Sequence, residues 1–169
     1  MKNGSMKKTA EFWINKLNLK PHPEGGYFSE IYKSDICVDK NDLPDEFPAR
    51  RSLVTSIYYL LSGNDISRFH RLKSDEIWHY YDGSALLLHI IDKKGNLTKQ
   101  ILGNGKDDNP VIIIKKNQWF AAEIKDKSAF SLTGCTVSPG FDFDDLEFAA
   151  TEKLIKLYPQ HSAVIKRFT

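Results

Sequence analysis

Residues 67–83 read SRFHRLKSDEIWHYYDG, and the fold turns on how this stretch is read. Ser67 to Leu72 alternates small or polar with large side chains, Lys73, Ser74 and Asp75 have turn chemistry, and Glu76 to Tyr81 is rich in the aromatics that pleated strands accommodate. The pattern predicts two antiparallel strands joined by a short polar turn, with Gly83 closing the hairpin. Period-2 parity places Arg68, His70 and Leu72 on one face of the first strand, and Glu76, Trp78 and Tyr80 on one face of the second. Where those faces meet, an imidazole and a carboxylate share an aromatic-lined space. His79 falls on the opposite face unless a bulge re-aims it.

Working outward, Leu53 to Leu61 (LVTSIYYLL) is apolar enough for a strand buried on both faces, and Ser62-Gly63-Asn64-Asp65 turns it into the hairpin. Further strands are predicted at Ala85 to Ile91, Leu97 to Leu102, Val111 to Ile114 and Phe130 to Val137, with polar turns at Asp92 to Asn96 and Gly103 to Asn109. Short strands recurring between Gly and Asn turns argue for an all-β barrel or sandwich. Upstream, Thr9 caps a short helix carrying Phe12, Trp13 and Leu17, which Pro21 and Pro23 stop. Glu24-Gly25-Gly26-Tyr27-Phe28 then enters a strand running to about Tyr32, and reads either as a tight turn or as a pocket lip formed by Glu24 and Tyr27. Ser34 to Arg51 lacks periodicity and is read as a long surface loop, a candidate flap. After Ser138-Pro139-Gly140, a helix is expected from Asp144 to Tyr158, with Phe148, Leu154, Ile155 and Leu157 for its apolar stripe and a surface tail from His161 to Thr169.

The 169 residues suit one domain with its own core, residues 6–169, behind a possible extension at Met1–Ser5. With 24 basic against 22 acidic side chains there is no electrostatic footprint for nucleic acid or an anionic membrane, and neither partner is expected. The basic N-terminus lacks the apolar centre of a signal peptide and no apolar run reaches bilayer length, so a cytoplasmic protein is the expectation. Cys37 and Cys135 lie far apart in sequence and read as two buried thiols, with a catalytic Cys135 as the alternative. His22 and His89 have no partner at a recognisable spacing and read as structural or exposed.

His70, Glu76 and the Gly83 seven residues beyond it resemble the first motif of the cupin superfamily, although Leu72 stands where a second His would be. Together with PEGGYF at Pro23–Phe28 and VSPGFDF at Val137–Phe143, the stretch is similar to one branch, the cupin family DUF985, of unknown function. The resemblance implies an RmlC-like jelly-roll barrel with the Glu24 segment at its ligand-binding end. It also implies a second motif whose metal-binding His is here replaced by Phe120, with Asn117 in the place of a Gly. Only His70 and Glu76 remain of four ligand positions. No cofactor is therefore expected, and a divalent transition metal would need a recruited ligand such as His79 or Glu24.

The residues suit proton transfer in a dry pocket. His70 is the candidate base, oriented by Glu76, with Tyr80, or Tyr58 or Tyr59, as the acid. Trp78 and Trp119 offer faces for a ring, and Arg68, His79 and Phe141 complete the candidate ligand-binding set with Glu24 and Tyr27. The resemblance to the RmlC-like epimerases points to isomerase chemistry on a sugar, sugar nucleotide or small acid. A non-catalytic small-molecule binder and a metal-dependent cupin enzyme are the alternatives, and His70 and Glu76 could also be a merely structural pair. A homodimer through edge strands, including the N-terminal one, is expected.

Overall fold

The computed structural model describes residues 8–169; the possible extension at Met1–Ser5 lies outside them. Helix α1 (Ala10–Leu17) opens with the Thr9 hydroxyl accepting the Phe12 N–H at 3.1 Å. It ends at Asn18, whose left-handed φ of 51° lets its own N–H and that of Leu19 return to the last turn, before the prolines are reached. The strands follow as β1 (Lys20–Pro21), β2 (Tyr27–Lys33), β3 (Cys37–Val38), β4 (Arg51–Ser52), β5 (Thr55–Ser62), β6 (Ile66–Leu72) and β7 (Asp75–Gly83). The remainder are β8 (Leu86–Ile91), β9 (Leu97–Leu102), β10 (Val111–Ile114), β11 (Trp119–Ile124), β12 (Phe130–Ser138) and β13 (Leu146–Phe148).

Two antiparallel sheets face one another, in the orders β1-β2-β5-β12-β7-β10 and β13-β6-β11-β8-β9. Between them lies a core built on Tyr59, Trp78, Leu88, Ile112, Phe120 and Cys135. The alternation read from the sequence is visible in β10, where Ile112 and Ile114 are buried while Val111 and Ile113 face outward. β11, by contrast, is buried at every position: Phe120 and Ala122 enter this core, while Trp119 and Ala121 face the C-terminal helices. Asn117, with φ 65°, makes the left-handed turn ahead of it.

The chain's ends differ from expectation. Phe148 belongs to β13, paired with His70 of β6, and the expected helix begins only at α2 (Thr151–Leu157). The tail forms α3 (Ser162–Phe168), with Ile165 and Phe168 fully buried on the outer face of the second sheet. Glu123 anchors it, accepting from Arg167 and meeting Lys127 at 3.1 Å and His89 Nε2 at 3.1 Å. The segment between β2 and β5 is pinned by buried Ser34, Leu43 and Phe47 and by the β3–β4 pair rather than free as a flap. Cys135 is buried as expected, whereas Cys37 is half-exposed. Among the described residues no helix is long and apolar enough to cross a membrane.

Candidate active site

Glu24 is placed by a turn that only glycine permits. The Gly25 N–H donates to the His22 carbonyl, and the His22 N–H donates to the Gly26 carbonyl. Gly25 has φ +115°, and a Cβ there would lie 2.1 Å from the Ile66 carbonyl oxygen. The turn therefore rests directly on β6, whose Arg68 N–H donates to the Glu24 carbonyl, and on β5, whose Tyr59 hydroxyl donates to the Gly25 carbonyl.

β6 answers with a bulge. Opposite β11, Phe120 pairs with His70 but Ala122 pairs with Ser67, so β6 carries an extra residue between them. Ser67 and His70 consequently both point inward, while Phe69 joins the core under α3 and the Arg68 guanidinium lies outside, 4.7 Å over the Phe148 ring. Ser67 Oγ donates to Glu24 Oε2 at 3.3 Å, and His70 Nε2 lies 3.3 Å from Glu24 Oε1.

The tautomer follows from the donors available. His70 Nδ1 lies 2.7 Å from the Arg68 carbonyl, which can only accept, so Nδ1 carries the proton. In the neutral ring Nε2 then carries no proton, and it faces the Glu24 carboxyl. Burial pushes the Glu24 carboxyl up to about 8, against the opposing effects of Ser67 and Arg68, and burial lowers His70. Both shifts favour the neutral forms, with the unprotonated Nε2 of the imidazole facing the Glu24 carboxyl.

Glu24 also lines a cavity of about 100 Å³ with Glu76, Trp78, Tyr59, Cys135 and Phe28. Burial first, and then the neighbouring Glu24 charge, push Glu76 up to about 7, with His70 opposing. Glu76 Oε2 and Trp78 Nε1 are buried without a hydrogen-bond partner among the described residues. His22 lines the wall too, held down to about 4 by burial and by His70. The mouth is framed by Glu30, Phe141 and Phe143, the last two packed edge to face at 5.0 Å. Their segment is moored by a buried fork in which Arg51 Nε and an Nη donate to the two Asp145 oxygens at 2.6 and 2.8 Å.

Of the residues singled out from sequence, Glu24, Tyr59, Glu76, Trp78, Cys135 and Phe141 line this cavity and His70 stands behind Glu24. The others lie elsewhere. Tyr80 shares the inner face but its hydroxyl donates to the Gly83 carbonyl at 2.6 Å, near the far end of β7. Tyr27 packs under α1, and Trp119 packs beneath the C-terminal helices with Arg71 over its ring. His79 faces outward, because the irregularity in β7 falls between Tyr80 and Asp82, beyond it. Ser67, His22, Glu30 and Phe143 were not selected. Ser67 sits on the wrong parity, and no local spacing connects His22 to Glu24's cavity.

Metal binding can be judged from the donors. Two of the four positions implied by the resemblance are the apolar, buried Leu72 and Phe120, the latter's ring centroid 4.1 Å from that of His70. His70 Nδ1 is held by the Arg68 carbonyl and Nε2 lies against Glu24, and among the described residues no group of three or more His, Cys, Asp or Glu is arranged to hold an ion. The donor set does not fit a resident metal, and no step below uses one.

Two facing antiparallel sheets around a cavity at one end define a cupin-type jelly-roll barrel. The chain belongs to the cupin superfamily family DUF985, whose model matches residues 11–149. It is similar to a crystal structure of a protein from Shewanella oneidensis at 36% identity and a TM-score of 0.86, covering 96% of this chain and 98% of that one. A hypothetical protein from Leishmania major is likewise 36% identical, with a TM-score of 0.85, covering 96% of this chain and 99% of that one. Oxalate decarboxylase from Bacillus subtilis, at 15% identity, a TM-score of 0.55, and coverage of 88% of this chain and 36% of that one, shares the fold alone. A search of curated proteins finds no match.

Proposed function

We propose that the chain binds a small oxygen-bearing molecule, such as a hydroxy acid, keto acid or small sugar, in the Glu24–Glu76 cavity and moves a proton on it. The observation that carries this reading is the pair of buried carboxyls in one aromatic cavity, one beside His70 and the other with an unpartnered oxygen. At neutral pH Glu24 is an acid and Glu76 is partly a base, the separation of roles that acid–base catalysis needs. Glu76 takes a proton from the carbon beside a carbonyl while Glu24 gives its proton to the carbonyl oxygen, forming an enol. Return of a proton to carbon and release of the enol proton complete an isomerisation. His70, expected from sequence to be the base, acts in this reading through Glu24, fixing its orientation. The cavity volume of about 100 Å³ favours a molecule of a few heavy atoms, and a sugar nucleotide would keep its nucleotide outside.

The test is a thermal-shift screen of small keto acids, hydroxy acids and sugars, followed by ¹H NMR of the binders in D₂O. The expected result is deuterium entering the carbon beside the carbonyl with the wild type and not with Glu76→Gln. Binding without exchange in either protein would favour the second reading, a non-catalytic binder or sensor, which the position of His70 behind Glu24, outside the cavity lining, supports. Absence of any binder would overturn both. The expected homodimer and cytoplasmic location are carried as part of the same proposal; light scattering checks the first, and the free sheet edges β1 and β10 are where pairing would occur.

A further inference from the structure

The Lys73–Ser74 turn that joins β6 to β7 has two sides. Inside, Leu72 and Glu76 bound the cavity described above; outside, Lys73, Ser74 and Asp75 open onto a separate cleft of about 740 Å³. Five lysines line that cleft, Lys73, Lys93, Lys94, Lys115 and Lys116, against two carboxylates, Asp75 and Asp92.

The carboxylates are already occupied. Asp75 meets Lys115 Nζ at 2.9 Å and accepts the Lys116 N–H at 2.8 Å. Asp92 accepts the N–H groups of Lys94 and Asn96 and the Asn96 amide, so it folds the β8–β9 turn. Lys116 is paired with Glu46 and Lys73 with Asp145. The ammonium groups of Lys93 and Lys94 lie within 4 Å of no carboxylate among the described residues. The cleft lining therefore carries more positive than negative charge, five lysines against two carboxylates.

A second observation points to what meets that lining. Ser74 is 5% exposed, yet its hydroxyl is buried with no hydrogen-bond partner among the described residues. An unpaired buried hydroxyl costs free energy, and the turn itself makes no use of it. A donor of this kind, beside lysines that bind as point charges, suits an anion with several acceptor oxygens. Pro44, Phe47 and Pro139 add an apolar wall, and the volume falls within the range of cofactor-sized ligands.

We propose that this cleft is a second binding site, taking a polyphosphate anion, free or esterified, through Lys93, Lys94 and the Ser74 hydroxyl. It does not depend on the chemistry assigned to the barrel cavity.

The experiment titrates full-length protein with inorganic pyrophosphate and, separately, ADP by calorimetry, without divalent metal and at two salt concentrations. Saturable binding of one equivalent is expected. Tighter binding of ADP identifies an esterified ligand, and equal binding a free anion. The double substitution Lys93→Glu, Lys94→Glu, at exposed positions that leave folding intact, should weaken binding about tenfold or more. Ser74→Ala should weaken it about threefold to tenfold while leaving Tm unchanged or raised, because it removes an unpartnered hydroxyl; Ser74→Cys, close in size, serves if the alanine variant misfolds. Binding of neither probe overturns the proposal. So does binding that the charge reversal leaves unchanged, and so does a charge effect with no Ser74 effect, which is general attraction to a lysine-rich surface.

Discussion

His70 Nε2 stands 3.3 Å from Glu24 Oε1 while its Nδ1 donates to the Arg68 carbonyl at 2.7 Å, so the ring turns its unprotonated nitrogen towards the Glu24 carboxyl. This gives stability a direction with pH. Glu24 and Glu76 keep protons in the folded state, up to about pH 8 and about pH 7, that the unfolded chain has already released. Their contribution is therefore full at acid pH and lost as pH rises through those values. His22 and His70, lowered by burial, act oppositely below the ordinary histidine value. Between about pH 6.5 and 8 the carboxyls outweigh the histidines, which still oppose them near the lower end, and unfolding free energy should fall by about 1 kcal/mol. Urea denaturation across that window checks it, and in Glu24→Gln most of the slope should vanish.

Ser67→Ala removes the hydroxyl that donates to Glu24 Oε2 from a residue with no exposed surface. A loss of about 1 kcal/mol is expected by urea denaturation, and the carboxyl should titrate still higher. A carboxyl signal at Glu24 that does not move upward by ¹³C NMR would contradict the assigned contact.

Gly25→Ala should be far more damaging than its single methyl suggests. The added Cβ would overlap a strand carbonyl at 2.1 Å with φ at +115°, so the turn must lift from β6 and carry Glu24 with it. We expect a loss of about 3 kcal/mol or more, and of binding in the cavity. A variant that melts within a few degrees of the wild type would refute the account of the turn.

Arg51→Ala leaves Asp145 as a buried carboxylate without its fork and releases the segment bearing Phe141 and Phe143. Breaking such a pair costs about 3–5 kcal/mol, and cavity ligands should bind more weakly. Chemical denaturation and the ligand screen read the two effects separately.

Phe143→Ala tests the mouth alone. The ring is 56% exposed, so stability should change by less than about 0.5 kcal/mol. Removing it widens the entrance, and ligands too bulky for the wild type should gain binding in the screen.

The sequence by itself determined the 67–83 hairpin and the strands at Leu97–Leu102 and Val111–Ile114, because an alternating or β-branched side-chain pattern between turn residues is local, but it did not show the fully buried strand β11. It also named Glu24, Glu76, Trp78 and Phe141 as cavity residues. It did not reveal that His70's carboxylate partner is Glu24. Parity from an unbroken strand put Arg68 inside and Ser67 outside, and one extra residue in β6 reversed them. Nor did an apolar stripe at the C-terminus say where the helix would start, because Leu146 to Phe148 found an open strand edge first. Bulges, edge pairing and the seating of a glycine turn on a distant strand depend on contacts between segments remote in sequence, and those exist only once the two sheets have closed on each other.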